Sequence, residues 1–240
     1  PVARSFLSWL DLPRGKRWLD LGCGTGALTS QILANCDPKS VMGVEPSEGF
    51  VALARDQVKD SRANFRQGTS ADLDDDTFDA IVSGLVLNFI PDPEAAMQHL
   101  VAHLTPGGTV AGYVWDYAGH AQFMRYFWDA AVALDPAAKE LDEGARFPLC
   151  RPDKLHELFT SSGLKDVAVH AIDVPTAFDD FGDYWTPFLS GIAPAPGYCA
   201  SLDAPAREAL RTRLKATLPT DPDGRILLAA RAWAVRGTKS

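Results

Sequence analysis

The sequence predicts an α/β fold: a doubly wound, mostly parallel sheet with helices on both faces. Three observations point there. Between residues 16 and 117, short apolar runs of strand length alternate with segments of helical periodicity. The first run ends in glycines at alternate positions, Gly22, Gly24 and Gly26, just before a helical pattern begins. The 240 residues are 46% hydrophobic and 22% charged, which suits a globular chain with a core large enough to cover such a sheet.

Each element has its own local reason. Residues 16–21, "KRWLDL", form an apolar run that stops at glycine, and 26–36 carry helical spacing at Leu28, Ile32 and Leu33. Residues 39–46 read as a second strand stopped by Pro46. The helix over 47–58 starts at Ser47, a good N-cap, and puts Phe50, Val51, Ala54 and Val58 on one face. A short third strand spans 63–68 and a buried fourth spans 78–90. The helix over 92–104 has Pro93 in its first turn, where the missing N–H costs nothing. "TPGG" at 105–108 breaks the chain before a fifth strand over 109–117. The second half is expected to hold helices over 118–134, 151–163 and 203–218 and strands over 165–174 and 224–237. An aromatic, proline-rich stretch at 175–198 lies between them.

Charge and cysteine usage bound the function. A net charge of −8 argues against nucleic acid, whose phosphates need clustered cations. The basic run Arg207, Arg211, Arg213 and Lys215 reads as a solvated helix face. No apolar run reaches the ~18 residues of a membrane span. No signal peptide is visible, and the chain begins at Pro1, as expected if an N-terminal piece is missing. Cys23, Cys36, Cys150 and Cys199 form no CxxC pair, so we expect reduced thiols in a cytoplasmic protein. His99 and His103 share a helix face without an HExxH pattern, and Asp72, Asp74, Asp75 and Asp76 read as a solvated loop, so no metal is expected.

The glycines remove side chains where strand becomes helix, so a ligand can lie against bare backbone N–H groups. Gly22-x-Gly24-x-x-Ala27 also fits a dinucleotide fingerprint. Asp20 separates the two readings. A carboxylate there suits a ligand with an ammonium group and repels a pyrophosphate. Glu45 ends the second strand, where an acid can accept from both hydroxyls of a ribose.

Together, "WLDLGCGTGALT", "VMGVEPSEGF", "FDAIVSGLVLNF" and "LTPGGTV" resemble the class I S-adenosylmethionine-dependent methyltransferases, in the small-molecule, quinone-biosynthesis-like subgroup. The resemblance implies a Rossmann-like seven-stranded sheet with the last strand antiparallel. It implies one methyltransferase domain over 1–240, with a cofactor-binding core at about 15–117 and cover insertions at about 118–150 and 175–222. It implies S-adenosylmethionine as cofactor and S-adenosylhomocysteine as product. Asp20, Gly22, Cys23 and Gly24 would line the methionine half, Glu45 and Pro46 the ribose, and Phe50 one adenine face. Thr69, Ser70 and Ala71 would sit at the adenine edge, where many relatives have Gly-Asp-Ala. Gly84 and Leu85 would flank the methionine side. Trp115, Tyr117, Met124, Trp128 and Trp185 are candidates to line a small, partly apolar acceptor, or else to pack helices. Tyr117 and His120 are the candidates for a base, should the acceptor need to lose a proton. The expected partner is a small molecule, with the chain a monomer or homodimer. An NAD-dependent oxidoreductase and a non-catalytic cofactor-binding protein of the same fold are the competing readings.

Overall fold

The computed structural model describes residues 1–191 and 193–240. In chain order the elements are α1 (Val2–Leu10), β1 (Arg17–Leu21), α2 (Ala27–Asn35), β2 (Ser40–Glu45), α3 (Glu48–Gln57), β3 (Ala63–Gln67), β4 (Phe78–Gly84), α4 (Pro93–Ala102) and β5 (Leu104–Trp115). There follow α5 (Gln122–Leu134), α6 (Glu143–Arg146), α7 (Pro152–Ser161), β6 (Lys165–Phe178), α8 (Phe181–Trp185), α9 (Pro194–Ser201), α10 (Ala204–Thr217) and β7 (Ile226–Thr238).

The strands form one sheet in the order β3-β2-β1-β4-β5-β7-β6. From β3 to β5 every neighbouring pair is parallel. β7 runs antiparallel to β5: Gly107 and Gly108 exchange hydrogen bonds with Lys239, while Asp116 pairs with Arg231, so one number rises as the other falls. Strand order reverses between β1 and β4. The crevice outside their carboxyl ends is where a doubly wound sheet takes its ligand.

The chain forms two compact units. The first is Pro1–Val114 with Pro152–Ile172 and Trp233–Ser240; the second is Trp115–Arg151 with Asp173–Ala232. In the first, Trp18, Leu19, Ile81, Val82, Val110 and Val114 are buried along the strands, and Phe6, Leu10, Ile32, Met97 and Leu100 come from the helices. Each such side chain stabilises by about 1.5–3 kcal/mol. In the second, Phe127, Trp128, Tyr184, Trp185, Phe188 and Tyr198 form an aromatic core joined by Leu210 and Leu214 of α10. Phe127 stacks on Phe188 at 4.4 Å and meets Trp128 edge-on at 5.3 Å.

Several boundaries differ from the sequence expectation. The fourth strand stops at Gly84, because Leu85 turns the chain with φ 62° and residues 87–89 form a 3-10 turn. "TPGG" does not break the chain. It lies within β5 as a bulge: Phe78 pairs Leu104 but Ala80 pairs Thr109. β6 continues through Pro175 to Phe178, which is tolerated because β6 is an edge strand. α1, α6, α8 and α9 carry no counterpart in the sequence reading, and Pro194 opens α9 from its first turn.

The second unit's core contains a buried acid. The Trp128 indole donates to Glu143, whose ionisation burial pushes upward and this bond pulls back. Trp128→Phe keeps most of the bulk and removes the donor. It should cost about 1–3 kcal/mol of stability at neutral pH in denaturant unfolding, the penalty of a buried acceptor that loses its side-chain donor and keeps only backbone ones. Unchanged stability would mean that Glu143 draws nothing from Trp128.

Candidate functional site

β1 delivers the chain to its carboxyl end and three residues in the left-handed region then turn it into α2: Gly22 (φ 71°), Gly24 (φ 53°) and Gly26 (φ 86°). Gly22 must be bare for a second reason. A Cβ there would sit 2.5 Å from a methyl of Val86. At Gly24 a Cβ would meet nothing within 4 Å, so the backbone faces open space. The N–H groups of Gly22 and Cys23 both donate to the Val44 carbonyl, at 2.7 and 3.2 Å, which locks the loop onto β2.

Glu45, 8% exposed, closes β2. Its carboxylate accepts from Gly24 N–H at 3.2 Å and from Ser47 N–H at 3.0 Å, so its orientation is set before any ligand arrives. Pro46 lines the adjacent cavity. Ser47 caps α3 by accepting from Phe50 N–H. Phe50 is 49% exposed, so it is no part of the core.

Asp20 is fully buried. One oxygen accepts from the Thr29 hydroxyl at 2.7 Å, and the other has no partner. Burial raises its pKa to about 6, with Thr29 opposing and the charge of Glu45 adding. An unmatched acceptor at the glycine loop calls for a cationic donor. Cys23 is different in kind. Its sulfur packs beside Gly43 and Phe65 with Val51 and Ala54, and burial pushes the thiol up, so it fills the loop and offers no thiolate.

A cavity of about 420 Å³ opens at this end of the sheet. Leu21, Gly22, Pro46, Gly68, Thr69, Ser70 and Ala71 wall one side; Val86, Phe89 and Ile90, with Ala95, Ala96 and His99 of α4, wall the other. The Thr69 hydroxyl donates to Asp72 and accepts from Ala71 N–H, so it is already engaged within its turn. Asp74 pairs with Arg66. Gly84 ends β4, and Leu85 N–H donates to the Tyr113 carbonyl. His99 entered the sequence reading only as a surface or packed histidine; the structure puts it on the cavity wall.

The acceptor-side candidates all belong to the second unit. Trp128 is fully buried, and Met124 and Trp185 belong to the same aromatic core, so these three hold the unit together. Trp115 and Tyr117 are half-buried against it. Burial pushes the Tyr117 phenol up, so at neutral pH it is a hydrogen-bond donor, not a phenolate base. His120 has a side chain 60% exposed, with Nδ1 3.7 Å from Asp116.

Comparison with known proteins agrees with this geometry. A methyltransferase-domain family matches residues 19–110. Demethylmenaquinone methyltransferase of Bacillus subtilis (strain 168) is 30% identical over 183 residues, covering 68% of this chain and 76% of that protein. The chain belongs to the class I S-adenosylmethionine-dependent methyltransferases. Trans-aconitate 2-methyltransferase of Variovorax paradoxus (strain S110) is 34% identical over 110 residues, which are 45% of this chain and 42% of that protein. Phosphoethanolamine N-methyltransferase 2 of Haemonchus contortus, solved with S-adenosylhomocysteine, has the same fold at a TM-score of 0.62 and 19% identity, over 99% of this chain and 52% of that one. S-adenosylmethionine is the cofactor of the family, and this methyltransferase's glycine loop fits it. The loop brings together an orphaned Asp20 oxygen, a preset Glu45 carboxylate and the open face of Gly24.

The raised Asp20 acid has a thermodynamic consequence. The folded methyltransferase holds this proton to higher pH than the unfolded chain does. Stability is therefore lost as pH rises from about 4 to about 6, and the loss persists above that range. Asp20→Asn removes the titration. The stability difference between variant and parent, both ligand-free, should shift in the variant's favour by about 2–3 kcal/mol between pH 4 and pH 7. Parallel pH profiles in denaturant unfolding would show Asp20 to be unperturbed.

Proposed function

We propose that this chain transfers a methyl group to a small, partly apolar acceptor by direct displacement. The observation that carries the reading is the pairing of Asp20, buried with one oxygen unmatched, with Glu45, held by two backbone N–H groups across the glycine loop. Bound there, S-adenosylmethionine supplies an activated methyl on a sulfonium and is released as S-adenosylhomocysteine. Asp20 holds the ammonium end. Gly22 and Gly24 let the methionine half lie against backbone, and Cys23 supports them from beneath. Glu45 accepts from the ribose hydroxyls beside Pro46. The exposed ring of Phe50 folds over the adenine. Thr69, Ser70 and Ala71 meet its edge through backbone, because the Thr69 hydroxyl is already engaged. Gly84 and Leu85 flank the sulfur. Alignment of acceptor, methyl and sulfur, with water excluded, supplies the rate enhancement. Where the acceptor must lose a proton, His120 is the better-suited base, since Tyr117 holds its own proton.

The net charge of −8 and the four free cysteines support a reduced, cytoplasmic setting with a small-molecule partner in preference to nucleic acid. We extend the proposal to the inserted segments, 118–150 and 175–222, as the cover of the acceptor.

Two measurements test the cofactor half. S-adenosylhomocysteine should raise the melting temperature by mass action, whereas NAD and NADP should leave it unmoved. Stabilisation by a dinucleotide alone would sink the reading. Glu45→Gln keeps an acceptor for only one of the two backbone donors and loses the charge, and should weaken S-adenosylhomocysteine binding by at least about 1.5–3 kcal/mol in calorimetry. An unaltered dissociation constant would remove Glu45 from the ribose. For the cover, hydrogen exchange in both inserted segments should slow when cofactor and acceptor bind together. Equal protection in free and bound protein would assign them to structure alone.

A further inference from the structure

Tyr113 lies in β5, opposite Gly84 in the register of β4 and β5. Its side chain is 6% exposed and its ring packs against Phe6 of α1 at 4.9 Å. Gly84 is bare where the phenol lies: a Cβ there would be 2.6 Å from the Tyr113 hydroxyl oxygen and 2.9 Å from Cζ. The hydroxyl therefore sits over the end of β4, at the carboxyl end of the sheet that carries the glycine loop. It makes no hydrogen bond among the described residues, and burial, joined by the charge of Asp20, pushes its ionisation up. The phenol thus stays protonated and keeps a free donor.

Two polar groups of opposite character are left unmatched in one region of the first unit. Asp20 offers a carboxylate oxygen without a donor. Tyr113 offers an O–H without an acceptor. They do not bond to each other, although Asp20's field reaches the phenol. Leaving the buried Asp20 acceptor unmatched costs about 1–3 kcal/mol, and one ligand that donates to it and also accepts from the unbonded phenol would satisfy both. An α-amino acid zwitterion is such a ligand: its ammonium donates and its carboxylate accepts.

We propose that Tyr113 is a cofactor-binding residue, whose hydroxyl donates to the carboxylate of the cofactor's methionine moiety while Asp20 takes the ammonium group. This rests on the cofactor reading above and adds a residue to it. Phe6 fixes the ring and the bare Gly84 makes room for it. The pair would therefore recognise the amino-acid end as a zwitterion, not as a cation alone.

The test uses the full chain, calorimetry and two ligands: S-adenosylhomocysteine and its decarboxylated analogue, which keeps the amine and lacks only the carboxylate. Tyr113→Phe retains the ring and its contact with Phe6. It should raise the dissociation constant of S-adenosylhomocysteine about ten- to a hundredfold, the range for a hydrogen bond to a charged group. It should change that of the decarboxylated ligand by less than about twofold, a smaller effect than even a weak neutral bond gives. The melting temperature of the ligand-free variant should not fall. Unchanged affinity for S-adenosylhomocysteine, or equal loss for both ligands, overturns the assignment. A parent protein that binds both ligands equally overturns it too, without any variant. A parent that binds neither brings down the cofactor reading itself, and this inference with it.

Discussion

The Glu45 carboxylate is the constraint on which the rest of the site depends. One oxygen holds Gly24 of the β1–α2 turn and the other holds Ser47 at the start of α3, so one side chain ties two loops together. Remove it, and two backbone donors lose their acceptor beside a turn already bent through the left-handed region. Glu45 is therefore not a free group waiting for a ribose. Half of its accepting capacity shapes the loop, and the remainder has no hydrogen-bond partner among the described residues. The locked β2–loop contact through Val44 completes the arrangement, so the glycine turn is rigid where a flexible one would have to be ordered at the cost of affinity.

Much of this was legible in the sequence. The parallel half could be read because each strand is an apolar run ended by a glycine or an acid, and each helix starts at a capping residue such as Ser47 or Asp92. Asp20 and Glu45 stood out because an acid at a strand end beside glycines has few other uses. What escaped has physical reasons. β4 was read too long because Leu85, Val86 and Leu87 continue its apolar character, and no residue type announces that a leucine will take a positive φ. α9 was hidden because Pro194, Pro196 and Gly197 look like breakers, although proline is harmless in a first turn. The place of the Tyr113 phenol could not be read either: alternation along β5 says nothing about a bare glycine lying opposite.

The aromatic residues show a different limit. An excess of Trp, Phe and Tyr marks either a hidden core or a ligand surface, and the same spacing serves both. Trp128, Met124 and Trp185 turned out to hold the second unit together, while Trp115 and Tyr117 are only partly covered. Buried polar groups accompany the aromatic core. Trp128 has Glu143 as its partner, Tyr184 donates to the Phe123 carbonyl, and Arg125 joins Asp142 at 2.7 Å. Satisfied polar groups in an apolar core specify one packing over others of similar area. The unit therefore rests on a defined set of partners as well as on buried area.

β6, the outermost strand beside β7, presents backbone on its free side to the surroundings. Such a row can recruit a strand from another molecule and begin an aggregate. Pro175 removes one donor from it, and Lys165, Asp166 and Asp173 place charges along the same strand. A neighbouring chain would have to pair across a missing N–H and bury the charges of Lys165 and Asp166. The residue that interrupts the strand's sequence signature therefore also makes its margin a poor template for fibre growth.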